Sequence, residues 1–135
     1  MPLLLEWLAA FHREALPHDP PPERADIEMA VANRRFLLWI IDEKPVSVAC
    51  IARRLRHTGA INSVYTPPQE RGCGYAGSVT AAVVDQLFSE GKTAACLYTD
   101  LRNHISNRCY AKVGFRPHCD SWHYLRKPHG IDPNG

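Results

Sequence analysis

The sequence lacks a long apolar segment. Three leucines at positions 3–5 begin an apolar stretch, but Glu6, His12, Arg13 and Glu14 soon interrupt it. A membrane-spanning helix needs about 20 consecutive apolar residues, and a signal peptide needs a basic segment before an unbroken apolar one. Neither pattern is present, so we expect a soluble cytoplasmic protein that does not bind membranes.

The sequence also lacks an excess of charge of either sign. Its formal net charge is only +2, which gives no broad electrostatic surface for a nucleic-acid partner. A small basic cluster does occur at Arg53, Arg54 and Arg56, beside His57. Proteins that bind phosphate backbones spread Lys and Arg over a whole face, so this cluster is more typical of a solvated strand edge.

Regularly spaced cysteine pairs are absent as well. The five cysteines, at positions 50, 73, 96, 109 and 119, are odd in number, and none forms a C-x-x-C pair. This pattern favours buried free thiols in a reducing compartment over a disulfide framework. His118, Cys119 and His123 could supply zinc ligands, but no second close pair accompanies them, so we expect no metal.

The chain of 135 residues has the size of one compact domain, and we interpret residues 1–135 as a single domain. Apolar residues at helical spacing predict helices over 3–16 and 22–33. Three segments of strand character then predict an antiparallel meander: 36–41, 46–52 and 60–66. The almost wholly apolar segment 36–41 predicts a strand that is buried on both faces.

The second half of the chain alternates helices with extended segments. Val79, Val83 and Leu87 form an apolar stripe on a predicted helix over 75–90, which ends before Gly91. The remaining predicted elements are a strand over 93–99, a helix over 105–113, and an extended segment over 115–125 that is one long strand or a tight pair. Together these elements predict an α+β (mixed α/β) fold.

The segment 64–77 connects a predicted strand to a predicted helix. Pro67 and Pro68 end the strand, because proline cannot donate a hydrogen bond to a neighbouring strand. Gly72 and Gly74 allow a ligand to approach the backbone closely. Since the next helix begins there, its unpaired N–H groups and the positive end of its dipole face the loop. The pattern predicts a cradle for a pyrophosphate.

Other phosphate motifs fit this sequence less well. Gly91-Lys92-Thr93 lacks the preceding glycine of the Walker motif. Gly72, Gly74 and Gly77 do give G-x-G-x-x-G, and Asp100 lies 23 residues beyond Gly77, near the place of a ribose-binding acid. That dinucleotide-binding fingerprint should open the first parallel unit of a chain, whereas this loop follows an antiparallel meander. The alternative stays open.

The loop resembles a known family signature. Residues 71–76 are similar to the R/Q-x-x-G-x-G/A motif of the GNAT acetyltransferase superfamily, with matches at Arg71, Gly74 and Ala76. The resemblance implies that the loop backbone holds the pyrophosphate of coenzyme A, through Arg71, Gly72, Cys73, Gly74, Tyr75, Ala76 and Gly77. It also implies that the splayed strand end pairs with pantetheine like an added strand, through Val64, Tyr65 and Thr66.

A second segment resembles the same family. Residues 103–115 are similar to its N-x-x-(A/S)-x-x-x-Y-x-K-x-G-F pattern. The resemblance implies that the Asn103 side chain contacts pantetheine, that Ser106 or Asn107 lies near the coenzyme, and that Tyr110 lies beside its sulfur as the general acid for the departing thiolate. Asn103 also suits a helix cap, and Tyr110 equally suits a half-buried packing position.

The two resemblances together imply a GNAT-type fold, with a central mixed sheet and flanking helices, and segments 64–68 and 97–101 are similar to the FR47-like branch. They imply an N-acetyltransferase in which an amine attacks acetyl-CoA directly. A transferase for another acyl-CoA, or a catalytically silent coenzyme A sensor or assembly domain, remains an alternative. We expect a coenzyme A thioester and an unidentified amine as partners, with no metal and no nucleic acid.

The sequence departs from the family at its start. A complete member begins with a strand, whereas this sequence begins with a predicted helix, so we expect a homodimer or a missing N-terminal domain to complete the sheet. The general base is not identified by the sequence. The candidates are Glu43, His57, Glu70 and Asp100.

Overall fold

The computed structural model describes residues 2–15, 20, 22–98, 104–118 and 121–125. Within these residues the helices are α1 (Pro2–Ala15), α2 (Arg24–Ala32), α3 (Tyr75–Ser89) and α4 (His104–Val113). The strands are β1 (Phe36–Ile41), β2 (Lys44–Arg54), β3 (Thr58–Tyr65), β4 (Ala94–Tyr98), β5 (Arg116–His118) and β6 (Ser121–Leu125).

The predicted helices and strands are confirmed, with shifted ends. Strand β2 begins earlier than predicted, because the turn before it is tight. Asp42 and Glu43 both have positive φ, +49° and +66°, and Ile41 pairs directly with Lys44. Two central residues with positive φ match the right-handed twist of a hairpin. The final extended segment is the tight pair β5 and β6, which are antiparallel.

The strands form one mixed sheet in the order β1-β2-β3-β4-β6-β5. Strands β1, β2 and β3 form the predicted antiparallel meander. Strands β3 and β4 are parallel and are joined through α3, whereas β6 is antiparallel to both β4 and β5. One parallel pair therefore lies at the centre of an otherwise antiparallel sheet.

Helices cover both faces of this sheet. Successive residues of a strand point to opposite faces, and β2 shows this directly. Ala49 and Ile51 belong to a buried cluster with α3 residues such as Val83, whereas Val48 belongs to a second cluster with Trp7 of α1 and Ile27 of α2. Strand β2 is thus covered by α3 on one face and by α1 and α2 on the other.

The prediction that β1 is buried on both faces is wrong. Leu37 and Trp39 pack against the α3 cluster, but Leu38 and Ile40 are 38% and 54% exposed. Strand β1 is at the edge of the sheet and pairs with β2 alone among the described strands. An apolar run indicates a strand, but it does not show whether a helix covers its outer half.

The cysteines only partly match the expectation of buried free thiols. Cys50 and Cys96 are buried within strands, whereas Cys109 is half-buried and Cys73 is exposed, and all four are free. Cys119 lies outside the described residues. The basic cluster is also more than a solvated edge, because Arg54 forms an ion pair with Glu90 at 2.8 Å.

No described helix combines the length and the apolar character that a membrane span requires.

Candidate functional site

Strands β3 and β4 separate before either of them ends. Their parallel pairing runs from Thr58 with Ala94 to Ile61 with Leu97, although β3 continues to Tyr65. The next four residues of β3, 62–65, pair with no strand on the β4 side in the described part of the chain. Their backbone is therefore available on that side to an extended ligand. Val64 and Tyr65, which were predicted to pair with such a ligand, lie in this stretch, and Thr66 follows it.

A bulge produces this separation. Val48 and Cys50 are two positions apart on β2, but their partners on β3, Tyr65 and Asn62, are three positions apart. Ser63 lies within the longer segment and has a positive φ of +51°. An extra residue bends a strand and increases its twist. The bulge at Ser63 thus turns the end of β3 away from β4.

Packing fixes the side chains at this strand end. Val64 packs against the α3 cluster, whereas Tyr65 is buried in the α1 cluster with its ring centroid 6.0 Å from that of Trp7. The buried hydroxyl of Ser47 donates to the Tyr65 carbonyl at 3.1 Å and shares a hydrogen bond of 2.8 Å with the Thr66 hydroxyl. Because these side chains are packed or hydrogen-bonded within the protein, a ligand at this strand end would contact the backbone.

The loop after β3 turns sharply at two glycines. A single 3-10 turn, Pro68–Glu70, leads to Gly72 and Gly74, whose φ angles are +89° and +79°. A Cβ added at either glycine would meet no heavy atom within 4 Å. The glycines are therefore required by the backbone conformation and not by crowding inside the protein. They leave a surface on which a ligand could contact the main chain.

Helix α3 begins at this loop without a side-chain cap. Gly74 is the N-cap residue, and the first helical bond at this end runs from the Ser78 N–H to the Gly74 carbonyl at 3.1 Å. The N–H groups of residues 75–77 thus have no partner within the helix. Unpaired N–H groups and the positive end of the dipole suit an anion. The predicted pyrophosphate cradle fits these residues.

Gly77 also contributes to the packing of α3 against α4, which the sequence did not indicate. A Cβ at Gly77 would lie 3.2 Å from the sulfur of Cys109 on α4, so this glycine allows α3 and α4 to pack closely. Nearby, the Thr80 hydroxyl donates to the Ala76 carbonyl at 2.7 Å.

The dinucleotide-binding alternative is wrong, because β3 and β4 are the one parallel pair of the described sheet.

The Arg71 side chain points back toward α1. Its Nε donates to the Thr66 carbonyl at 2.8 Å, and one Nη donates to both carboxylate oxygens of Glu14 at 3.0 Å. Its guanidinium also lies 5.7 Å from the centroid of the Tyr65 ring. The side chain thus ties the loop to α1, which leaves the loop backbone to hold a ligand. Glu14 carried no sequence signal, since this contact spans 57 positions.

The exposed thiol of Cys73 lies beside Tyr75 at the tip of the loop. Desolvation, followed by the nearby charges of Cys73 and Glu70, raises the pKa of Tyr75 above its usual value. A neutral phenol at this place would add no negative charge beside an anion bound at the loop. Cys73 is exposed, and the contact that the structure describes for its thiol is with Tyr75 and not with a histidine, which a covalent nucleophile would need.

The second motif is only partly described. Asn103, and the side chains of Ser106 and Asn107, lie outside the described residues. Tyr110 is on α4 and is 7% exposed, with its ring 6.3 Å from that of Phe115. Tyr110 is therefore buried, whereas the sequence predicted a half-buried position. Burial raises the pKa of the Tyr110 hydroxyl to about 12.

The candidate bases differ in how close they lie to the loop after β3. Glu70 lies in the loop and forms an ion pair with Lys44 at 2.9 Å, and Glu43 lies beside Lys44 in the hairpin turn. His57 lies at the opposite end of β3, where its carbonyl accepts from the Thr93 N–H at 2.8 Å. Asp100 is outside the described residues. Glu43 and Glu70 are therefore nearer to the loop than His57.

Among the described residues, two cavities outside the loop are large enough to hold a small molecule. One of about 370 Å³ lies between α1, α2 and strands β1–β3. Its lining is Leu8, Phe11, His12, Pro20, Pro22, Asp26, Ile27, Ala30, Arg35, Phe36, Cys50, Ala52, Asn62 and Ser63. Because Ser63 is the bulge residue, this cavity adjoins the open end of β3. The other, of about 570 Å³, lies near Arg54 and Glu90 at the far end of α3.

A mixed sheet whose central parallel strands separate beside a glycine-capped helix defines the acyl-CoA N-acyltransferase fold. A model of the acetyltransferase (GNAT) family matches residues 1–115. The chain therefore belongs to the acetyltransferase (GNAT) family.

Individual relatives agree with this family. Mycothiol acetyltransferase of Kocuria rhizophila is 30% identical over 98 residues, which are 67% of this chain and 31% of the relative. The chain thus spans about a third of the length of that relative.

Solved structures show the same fold at lower identity. N-acetylglutamate synthase from Neisseria gonorrhoeae, complexed with coenzyme A and N-acetyl-glutamate, is 14% identical with a TM-score of 0.72 over 93% of this chain and 32% of that one. Ard1 from Thermoplasma volcanium is 13% identical with a TM-score of 0.72 over 94% of each chain.

Proposed function

We propose that this chain is an N-acetyltransferase that transfers the acetyl group of acetyl-CoA to an amine. One observation carries the proposal: the bulged, unpaired end of β3 leads directly into an open glycine loop and an uncapped helix start. A ligand with an extended arm that ends in a pyrophosphate would fit the strand end, the loop and the helix start in that order. Family membership and a structural neighbour that contains coenzyme A support the same conclusion.

The chain would hold the coenzyme mainly through its backbone. Residues 64–66 would pair with the pantetheine arm, in the manner of an added strand. Residues 71–77 would surround the pyrophosphate with N–H groups, with glycine at the two positions of positive φ. Asn103, Ser106 and Asn107 remain predicted contacts of the same arm. No metal is part of the proposal.

The bound coenzyme would supply a thioester, whose C–S bond breaks as the acceptor nitrogen bonds to the carbonyl carbon. Backbone N–H groups near Tyr65 would stabilise the carbonyl oxygen as it gains charge. A base on the loop side, Glu43 or Glu70, or a chain of water would remove the proton from the acceptor nitrogen. Tyr110 would return a proton to the departing sulfur.

Two narrower points remain predictions. The FR47-like assignment rests on segments 64–68 and 97–101 alone. A different acyl-CoA, or binding of coenzyme A without catalysis, would use the same backbone. The test is to incubate the protein with acetyl-CoA and a panel of amines, and to measure free thiol and product mass.

We expect acetylated amine and coenzyme A thiol in equal amounts. Thiol release without an acetylated product would indicate hydrolysis and contradict the proposal. Coenzyme A binding with no turnover for any acyl donor would establish the silent alternative. Propionyl-CoA and succinyl-CoA, run in parallel, decide whether acetyl is the preferred group.

A further inference from the structure

The cavity of about 370 Å³ beside the bulge has a size that suits one small molecule. It is lined by the apolar side chains of Leu8, Phe11, Ile27 and Phe36. Through Ser63 it adjoins the strand end at which the thioester would lie. An acceptor in this cavity could therefore present its amine to the reaction while its apolar part contacts α1 and α2.

Arg35 supplies a positive charge to this cavity. Its backbone is fixed, because its carbonyl accepts from the Ile51 N–H at 2.6 Å. Its half-buried side chain forms no hydrogen bond or ion pair with any residue that the structure describes. A guanidinium at the wall of a cavity without such a partner is well suited to a carboxylate, which it can bind through two parallel hydrogen bonds.

Asp26 is the one carboxylate among the described residues that line the cavity, and it is exposed, whereas Cys50 is buried. Cys50, which is 8% exposed, forms part of the inner wall. Burial raises the pKa of its thiol to about 11, and the two charged groups that act against this are both arginines, Arg35 and Arg54. Asp26 lies on the exposed side of α2, and His12 already has an interaction within the protein. Arg35 thus places its positive charge close to the buried Cys50, whereas the carboxylate of the lining, Asp26, lies on the exposed side.

We propose that this cavity binds the acceptor, and that Arg35 selects small amines that also carry a carboxylate. The inference rests on the proposed function, since it assumes that an amine is the acceptor. The carboxylate pairs with the Arg35 guanidinium, the apolar part lies on Phe11 and Ile27, and the amine points toward Ser63. Neutral Cys50 takes no part in the chemistry.

The test compares amines that differ only in the carboxylate. The pairs are leucine with isoamylamine, phenylalanine with phenethylamine, and γ-aminobutyrate with propylamine, so that the spacing between amine and carboxylate also varies. Affinity is measured by calorimetry, first with the protein alone and then with saturating coenzyme A. Coenzyme A titrated alone reports on the proposed function, so its failure is distinguished from failure of this inference.

We expect at least one carboxylated amine to bind about tenfold or more tightly than its partner, the usual value of a hydrogen bond to a charged group. Arg35→Gln should reduce this ratio to about one, and Arg35→Lys should retain part of it. Arg53→Gln is the matched control, because Arg53 is exposed on β2 outside the cavity lining, and it should keep the full ratio.

Three results would overturn the inference. One is equal or tighter binding of the amines without a carboxylate, which would point to Asp26 as the selecting group. Another is an unchanged ratio in Arg35→Gln, with the fold verified by circular dichroism. The third is that no carboxylated amine of the panel binds at millimolar concentration, with or without coenzyme A.

Discussion

The two sides of the β3 bulge are built from different parts of the chain. On the proposed coenzyme side, a continuous segment from Asn62 to Gly77 would provide the surface through its main-chain N–H and C=O groups. On the proposed acceptor side, side chains from α1, α2, β1, β2 and β3 surround a cavity. A site made of backbone depends on conformation and on the absence of side chains. A site made of side chains depends on which residues the fold brings together.

Tyr110→Phe should have the largest effect, because it removes the proposed proton donor. The variant also tests whether the coenzyme side needs a side chain in addition to the backbone. Removal of the hydroxyl should lower turnover by roughly 10²- to 10⁴-fold, the usual range for general acid catalysis, while coenzyme affinity stays the same. Steady-state kinetics and calorimetry measure the two quantities. Full turnover in the variant would leave Tyr110 as a packing residue.

The pH dependence sharpens this prediction. Burial raises the pKa of Tyr110 to about 12, so its hydroxyl keeps its proton as the pH rises well above neutrality. The ratio of wild-type to Tyr110→Phe turnover should therefore stay constant from about pH 7 to about pH 10. A ratio that falls toward one across this range would show that the hydroxyl loses its proton far earlier than its burial implies.

Gly74→Glu should have the next largest effect, because it places a side chain and a negative charge on the backbone surface. Coenzyme A affinity should fall by more than about tenfold, which corresponds to ~1.4 kcal/mol. Gly91→Glu is the matched control, since Gly91 also has positive φ, +96°, and open space at its Cβ, but lies at the other end of α3. Equal losses in both variants would attribute the effect to backbone strain.

The exposed edge strand leads to a prediction for the acceptor side. The apolar edge of β1 should promote self-association, because unpaired strand edges with exposed apolar side chains pair with one another. Ile40 is 54% exposed, and Ile40→Lys should weaken association by about tenfold. Light scattering over a concentration series measures this. A wild-type protein that stays monomeric at micromolar concentration would contradict the prediction.

The contact between Glu14 and Arg71 joins the two sides, and breaking it should have the smallest effect. Both side chains are 47% exposed, and exposed ion pairs contribute about 0.5 kcal/mol. Glu14→Gln should therefore weaken coenzyme A binding about two- to threefold, and the difference should vanish at high salt. Glu28→Gln, which removes the exposed Arg24–Glu28 pair, is the control and should leave the affinity unchanged.

The comparison also explains what the sequence could predict. The backbone conformation left a local signature at Pro67, Pro68, Gly72 and Gly74, so the end of β3, the turn after it and the start of α3 were predicted correctly. The antiparallel meander followed from local patterns for the same reason, whereas the mixed sheet was implied by the family resemblance.

Contacts between distant segments left no such signature. The hydrogen bonds of Ser47 to the end of β3 and the role of Gly77 in helix packing depend on residues that are brought together only by the fold. The exposure of β1 was missed because an apolar run does not reveal what covers it. Arg35 was likewise only one of sixteen lysines and arginines, and the sequence did not show that it lines a cavity.

We propose that the main chain of β3 and its loop holds coenzyme A. The most direct test is to titrate ¹⁵N-labelled protein with coenzyme A and to follow each backbone amide by NMR. We expect the largest shifts on residues 64–66 and 72–77, with small changes around Arg54 and Glu90. Shifts concentrated at the larger cavity near Arg54, with residues 72–77 unaffected, would contradict it.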